Sequence, residues 1–126
     1  MNLLYFQLGG SPYAIAQETI ADVAPASAIH PVPLSPPAVL GLAERRGRAI
    51  AVIDLPALLD AAAAERPATA NVMRLTAPLE GAALLVPAEI FSGSGTPASD
   101  GHVWIDGRIH VLLDAQALVK RAATFH

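Results

Sequence analysis

Hydrophobic positions recur along this chain in two stretches with nearly the same pattern. The first copy reads Gly47-Arg48, then residues 49–53, then Asp54; the second reads Gly107-Arg108, then residues 109–113, then Asp114. The copies are separated by 60 positions (107 − 47). Each copy predicts a tight turn, a buried strand and a capped first turn of helix. Because the repeat is long and occurs only twice, it favours a duplicated small module over a solenoid, which needs at least about three shorter units.

The N-terminal part of the chain reads as short strands. Residues 3–8 and 13–16 are strand-like, and Gly9-Gly10-Ser11-Pro12 between them has the composition of a hairpin loop. Residues 20–23 continue as a short, partly exposed strand.

Five prolines between residues 24 and 37 predict an ordered, extended connection that is not a regular sheet strand. Val32 and Leu34 are expected to anchor this connection against a barrel. The alternative interpretation is a proline-rich ligand for an aromatic groove of another protein.

Further turn signals divide the rest of the chain into strand pairs. Residues 39–45 and 49–53 flank Arg46-Gly47, residues 72–76 and 82–86 flank Glu80-Gly81, and residues 103–105 and 109–113 flank Asp106-Gly107. Residues 92–101, with three glycines and a proline, are predicted to form a flexible loop. Many short strands without long alternating helices predict a mostly β, barrel-like architecture. The repeat predicts two such barrels.

Two short helices are expected, one after each copy of the repeat. Asp54 is predicted to cap the first helix, which should fade through residues 61–65 and stop before Pro67. Asp114 is predicted to cap the second helix, over residues 115 to about 123.

Composition narrows the class of protein. With 126 residues, the chain fits a single domain, or two small subdomains that share a core. An apolar fraction of 53% and a mean hydropathy of +0.45 predict that some apolar surface is left for a partner. A net charge of −3 without a basic block argues against nucleic-acid binding. Proteins are therefore the expected partners. The start of the chain lacks the positive region of a signal peptide, so we expect a cytoplasmic protein.

Signals for catalysis, metal binding or cofactor binding are weak. There is no cysteine, which excludes disulfides and thiolate sites. The four histidines lack the helical spacing of a zinc-protease motif: His30, His102, His110 and His126. Ser92-Gly93-Ser94-Gly95 resembles a linker more than a nucleophile elbow, which needs a strand before it and a helix after it. We therefore expect no enzyme, no cofactor and no metal.

A cluster of arginines at one turn leaves two interpretations open. Arg45, Arg46 and Arg48 stand together beside Glu44. They can form a solvated edge that discourages aggregation. Alternatively, one of them is a fixed anchor for an acidic or carbonyl-bearing partner.

Several of these segments, in order and spacing, resemble the CheW-like domain family, the adaptors of bacterial chemosensory arrays. The residues that carry the resemblance are Phe6-Gln7-Leu8-Gly9-Gly10, Tyr13-Ala14-Ile15, Ile20-Ala21-Asp22-Val23, the proline-rich residues 29–37, residues 39–48, Val52-Ile53-Asp54-Leu55, Asp106-Gly107-Arg108 and Leu112-Leu113-Asp114. The resemblance implies two intertwined, five-stranded SH3-like barrels with short helices. Residues 1–126 would then form a single CheW-like domain made of two pseudo-equivalent barrel subdomains.

The resemblance also implies a function and a set of contact residues. It implies a non-enzymatic adaptor that joins the cytoplasmic tip of a chemoreceptor to the regulatory domain of the histidine kinase CheA. Receptor contacts map to Ile20, Asp22 and Arg46, and Glu44-Arg45 replaces the residues that usually precede the turn in the family. Alternation along a strand places Ile20 and Asp22 on one side of the sheet. The competing interpretation is that Ile20 belongs to the core and Asp22 marks a solvated strand end.

Two other function classes remain open at the level of sequence. One is a small-barrel regulatory protein that has kept the fold but acts outside a chemoreceptor array. The other, a hydrolytic enzyme, is disfavoured because no nucleophile and base can be placed together. Pro87, where the family usually has an acidic residue, is a further departure from the family pattern.

Overall fold

A computed structural model of the protein describes residues 1–59 and 70–124, and it is mostly β. The strands are β1 (Asn2–Leu8), β2 (Ser11–Ala16), β3 (Ile20–Pro25), β4 (Val39–Arg45), β5 (Arg48–Asp54), β6 (Asn71–Leu75), β7 (Ala82–Val86), β8 (Phe91–Ser94), β9 (Thr96–Pro97), β10 (His102–Ile105) and β11 (Arg108–Leu113). A 3-10 helix covers Gln17–Thr19, and the α-helices are α1 (Leu55–Leu58) and α2 (Ala115–Thr124). The predicted mostly β fold class is confirmed.

The strands form two sheets. The middle sheet, built from the middle of the chain, has the order β3-β6-β7-β5-β4. The terminal sheet combines both ends of the chain in the order β8-β1-β2-β11-β10-β9. The two-residue strand β9 gives the terminal sheet a sixth strand in addition to the five expected. Because β1 and β2 complete a sheet begun by β8–β11, the two sheets are intertwined along the chain.

The two sheets share one internal order. Strand β5 runs parallel to β7, and strand β11 runs parallel to β2. Val52 pairs with Ala83 in the first case, and Leu112 pairs with Ala14 in the second. Val52 and Leu112 are 60 positions apart, so both copies of the repeat occupy matching places in their sheets.

A central core lies between the sheets and the helices. It contains buried side chains from both sheets: Leu4, Phe6, Ile15, Ile53, Met73, Leu75, Leu84 and Val86. Helix α2 adds Ala115, Leu118 and Ala122, whose spacing places them on one face of the helix. A smaller cluster covers the opposite face of the terminal sheet: Leu3, Ala14, Val103 and Ile105.

The two predicted helix caps have different outcomes. The Asp114 carboxylate accepts hydrogen bonds from the backbone amides of Gln116 (3.0 Å) and Ala117 (3.4 Å), as predicted. The Asp54 side chain makes no capping bond, which corrects the prediction. Pro56 occupies the second position of α1, where it has no N–H to donate. The predicted extension of this helix through residues 61–65 lies outside the described residues.

The prediction of a flexible loop over residues 92–101 is wrong, because β9 and most of β8 lie within it. Strand β8 pairs with β1, and β9 pairs with β10. A Cβ atom on Gly95 would lie 2.6 Å from the Leu3 Cδ1 atom and 2.9 Å from the Val103 Cγ2 atom. Gly95 therefore lies where packed strands approach each other closely. Its glycine-rich surroundings were mistaken for a loop.

The proline-rich segment touches the middle sheet through a backbone bridge between His30 and Leu42. The expected anchors are wrong, because Val32 is 40% exposed and Leu34 is fully exposed. Backbone pairing, and not burial of these two side chains, joins the segment to β4.

Candidate partner-binding site

A β-bulge in β3 separates the two residues that were expected to share a face. Ile20 pairs with Leu75, whereas Asp22 pairs with Arg74, so two steps on β3 match one step on β6. The extra residue reverses the alternation of side chains. Ile20 packs against the central core and is partly buried, while Asp22 lies on the opposite face. The expectation that both residues point to one side is therefore wrong.

Asp22 is held between two arginines, and we call Asp22, Arg45 and Arg74 the ionic triad. The Asp22 Oδ2 atom accepts hydrogen bonds from Arg74 Nε (3.0 Å) and Nη2 (2.8 Å). The Asp22 Oδ1 atom lies 3.3 Å from Arg45 Nη2. The three side chains are between 25% and 37% exposed. The charge of Asp22 is thus already paired inside the chain, and the triad as a whole carries one positive charge.

Arg74 is a member of this site that sequence reasoning missed. It is the one charged residue in β6, whose other residues are Asn71, Val72, Met73 and Leu75. Arg74 is partly buried, so a carboxylate partner offsets the cost of removing its charge from water. The isolated arginine could be seen in the sequence. Its partner Asp22, 52 positions away, could not be predicted from the sequence.

The arginine turn has an unusual backbone at its tip. Arg45 pairs with Arg48 across the hairpin, and the two central residues have positive φ angles, 51° for Arg46 and 77° for Gly47. Asp106 and Gly107 adopt almost the same angles, 49° and 75°, in the second hairpin. Glycine, asparagine and aspartate are the usual residues for such a turn, so Arg46 is held in a conformation that arginine disfavours.

Side chains at this turn differ in how free they are. Glu44, Arg46 and Arg48 are exposed, whereas Arg45 is partly buried and paired with Asp22. The structure therefore brings Asp22 and Arg45 into direct contact and leaves Arg46 and Glu44 accessible. Ile20 does not join the triad, because it contacts the central core.

An exposed apolar patch on the β10–β11 hairpin was also missed. Its members are Trp104 (46% exposed), Ile109 (41%) and Val111 (38%). Trp104 and Ile109 are directly opposite each other in the hairpin. The predicted buried strand over residues 109–113 is thus only half right, since His110 is buried and its two neighbours are exposed. Strand β11 has apolar residues on both faces, and this pattern could have predicted an exposed apolar surface in addition to the buried one.

Among residues 1–59 and 70–124, no helix is long and apolar enough to cross a membrane. In the same ranges, no group of three potential metal ligands lies close enough to bind one ion.

Comparisons with known proteins place this fold. A family model for the CheW-like domain matches residues 2–88. A crystal structure of the scaffolding protein TtCheW from Thermoanaerobacter tengcongensis is similar with a TM-score of 0.79 and 19% sequence identity, over 93% of this chain and 90% of that chain. A sequence comparison with curated proteins found no significant match. At this identity the structural likeness shows the fold alone, which is the CheW-like fold. Because the family model covers well over half of the 126 residues, the chain belongs to the CheW-like domain family.

Proposed function

We propose that this protein is a non-enzymatic adaptor that couples the cytoplasmic tip of a chemoreceptor to the regulatory domain of the histidine kinase CheA. The family supports a scaffolding role, and the solved relative is itself described as a scaffolding protein. On this proposal the protein acts in the cytoplasm, through protein surfaces and without a cofactor.

The observation that carries the proposal is the accessible Arg46 at the tip of its turn. It has a positive φ angle that arginine disfavours, and it has no side-chain partner among the described residues. Backbone strain that persists at one residue is a reason to look for a function there. The guanidinium group can bind a carboxylate or a row of backbone carbonyls on a partner.

The other contact residues receive different roles in this proposal. Asp22 acts through Arg45 and Arg74, because its carboxylate holds both guanidinium groups. Glu44 lies exposed beside the turn, where its carboxylate can pair with a basic group of the partner. Ile20 contributes only its exposed edge, since the rest of its side chain packs on the core.

We further propose that residues 1–126 form one domain made of two pseudo-equivalent barrels. The matched strand orders and the paired registers Val52–Ala83 and Leu112–Ala14 support this division.

The test is calorimetry with the regulatory domain of CheA and with a receptor cytoplasmic fragment from the same organism. We expect Arg46→Ala to weaken binding of at least one partner by about 1–3 kcal/mol, the scale of a charged hydrogen bond. Arg48→Ala is the matched control, because it removes an exposed arginine from the same hairpin and should change binding less.

Two results would contradict the proposal. Equal affinities for the wild type and Arg46→Ala would remove Arg46 from the interface. Absence of binding to both partners by the folded wild type would favour a regulatory protein that acts outside a chemoreceptor array.

A further inference from the structure

A groove on the terminal sheet contains a buried histidine that the proposed adaptor surface does not use. We call it the aromatic groove; it has a volume of about 380 Å³, and its apolar lining includes Tyr5, Phe91, Ile105 and the ring of His110. Pockets for drug-sized molecules have volumes of about 300–1,000 Å³. The groove is therefore large enough for one aromatic side chain and too small for a helix.

Three rings form one wall of the groove. Tyr5 and Phe91 stack with their centroids 5.6 Å apart, and His110 meets Tyr5 edge-on at 5.6 Å. Phe91 is 48% exposed, so much of its ring is open to an incoming group. Offset and edge-to-face contacts with a further ring are favourable at such a wall.

His110 presents a hydrogen-bond acceptor to the groove. It is only 5% exposed, and its Nδ1–H donates to the carbonyl of Arg108 at 3.0 Å. In the neutral ring, the other nitrogen, Nε2, is then an acceptor. No described residue forms a hydrogen bond with Nε2. Every fully buried side-chain nitrogen or oxygen among the described residues does have a hydrogen-bond partner, so Nε2 is not fully buried. The Nε2 atom must therefore reach solvent, and the groove is the open space that this ring lines.

The charged groups around the groove also favour a donor. Two exposed carboxylates, Glu89 and Asp106, line it together with one exposed guanidinium group, Arg108. The lining thus carries a net charge of −1 (one positive and two negative groups), and most of its polar groups accept hydrogen bonds. An occupant with an aromatic body, an N–H or O–H donor and positively charged neighbours complements this lining.

We infer that the aromatic groove binds a tryptophan or tyrosine side chain from a basic segment of a partner protein. The indole N–H or phenol O–H donates to His110 Nε2, while the ring packs on Phe91 and Tyr5. This site is separate from Arg46 and the ionic triad, which belong to the middle sheet, so it does not depend on the proposed function.

The test is a titration of the isotope-labelled full chain, followed by two-dimensional NMR of backbone amides at about pH 8, where histidine side chains are generally neutral. The probes are acetyl-Lys-Trp-Lys-amide, acetyl-Lys-Phe-Lys-amide, acetyl-Glu-Trp-Glu-amide and free indole. We expect the first peptide to shift the amides of Tyr5, Phe91 and His110. It should bind at least about fivefold more tightly than each of the other probes, a factor equivalent to one ordinary hydrogen bond or charge contact.

Three variants sharpen the test. His110→Ile copies Ile50, the residue 60 positions earlier in the other sheet, so it replaces the acceptor with an apolar side chain. It should abolish the preference for tryptophan over phenylalanine. Phe91→Ala, at an exposed ring, should weaken binding of both lysine peptides. Ile109→Ser, on the other face of the hairpin, should leave all affinities unchanged.

Several outcomes would overturn the inference. Equal binding of the tryptophan and phenylalanine peptides, or an unchanged preference in His110→Ile, would exclude Nε2 as the acceptor. If free indole binds as tightly as acetyl-Lys-Trp-Lys-amide, the groove is a small-molecule site. Absence of shifts around the groove, or shifts confined to Trp104, would exclude the groove as the docking surface. If His110→Ile does not fold, Phe91→Ala by itself tests whether the peptides bind in the groove.

Discussion

Corresponding positions of the two sheets carry opposite chemistry. Across the middle sheet, Val52, Ala83, Arg74 and Asp22 are opposite one another in adjacent strands. Across the terminal sheet, the matching row is Leu112, Ala14, Tyr5 and Phe91. An arginine–carboxylate pair in one sheet thus stands where two stacked rings stand in the other.

The difference changes how much space is left at each sheet. The cavity lined by the ionic triad has a volume of about 30 Å³, against about 380 Å³ for the aromatic groove. The triad and three residues of the proline-rich segment, Pro25, Ser27 and Ile29, together line the small cavity in the middle sheet. The rings in the terminal sheet line a wider groove to which that segment does not contribute. One backbone arrangement can therefore present a cationic turn in one half and an apolar docking groove in the other.

The largest effect should come from the core positions that follow each turn. Ile53 is 2% exposed in the central core, whereas the corresponding Leu113 is only partly buried. Ile53→Ala should lower the free energy of unfolding by about 2–5 kcal/mol, the usual cost of such a cavity. Leu113→Ala should cost less, because part of its side chain already faces solvent. Urea denaturation of both variants measures the difference, and equal losses would show that the two sheets bury these positions equally.

A smaller effect on the free energy of unfolding should distinguish the row that contains Asp22 and Arg74 from the row that contains Phe91 and Tyr5. Only the first should respond to salt. Asp22→Asn keeps the shape of the side chain but leaves Arg45 and Arg74 without a counter-charge. We expect a loss of about 1–2 kcal/mol in dilute buffer, since the triad is partly exposed. The loss should shrink in about 1 M NaCl, where charges are screened beyond roughly 3 Å.

Phe91→Leu is the matched change in the terminal sheet. It disrupts an aromatic pair worth about 0.5–1.5 kcal/mol, and its cost should be the same in both buffers. A salt response of equal size in both variants would show that the triad is not held together by charge.

Local rules explain which parts of this fold could be predicted from the sequence. The turns at Arg46-Gly47 and Asp106-Gly107 were predicted because a two-residue hairpin needs positive φ angles at both positions. The first hairpin loop was predicted two residues too long, because Ser11 and Pro12 already pair with β1. The Asp114 cap was predicted because its partners lie two and three residues away. Such features depend on a few neighbouring residues.

Non-local features were missed for an equally physical reason. The bulge that separates Ile20 from Asp22 depends on how β3 meets β6, about 50 positions further along the chain. The pairing of Asp22 with Arg74 depends on the same contact. Gly95 was read as a loop residue because the strands that crowd it come from both ends of the chain. The directions of the Ile20 and Asp22 side chains could therefore not be predicted from the sequence around them.

The smallest effect concerns the two turns, which share a backbone but differ in their first residue. Arg46 has a φ angle of 51° where Asp106 has 49°, and the left-handed region costs an ordinary side chain roughly 1–2 kcal/mol. Asparagine tolerates this conformation better, so Arg46→Asn should raise the free energy of unfolding by about 0.5–1 kcal/mol. Asp106→Asn should change it by less than about 0.5 kcal/mol, because aspartate already suits the turn. Thermal unfolding under identical conditions measures both changes.

A stabilised Arg46→Asn variant that also binds its partner more weakly would show that the arginine is kept for binding at the expense of stability. A destabilised variant would instead show that the Arg46 side chain makes contacts that support the hairpin, and the strain argument for a binding role would fail.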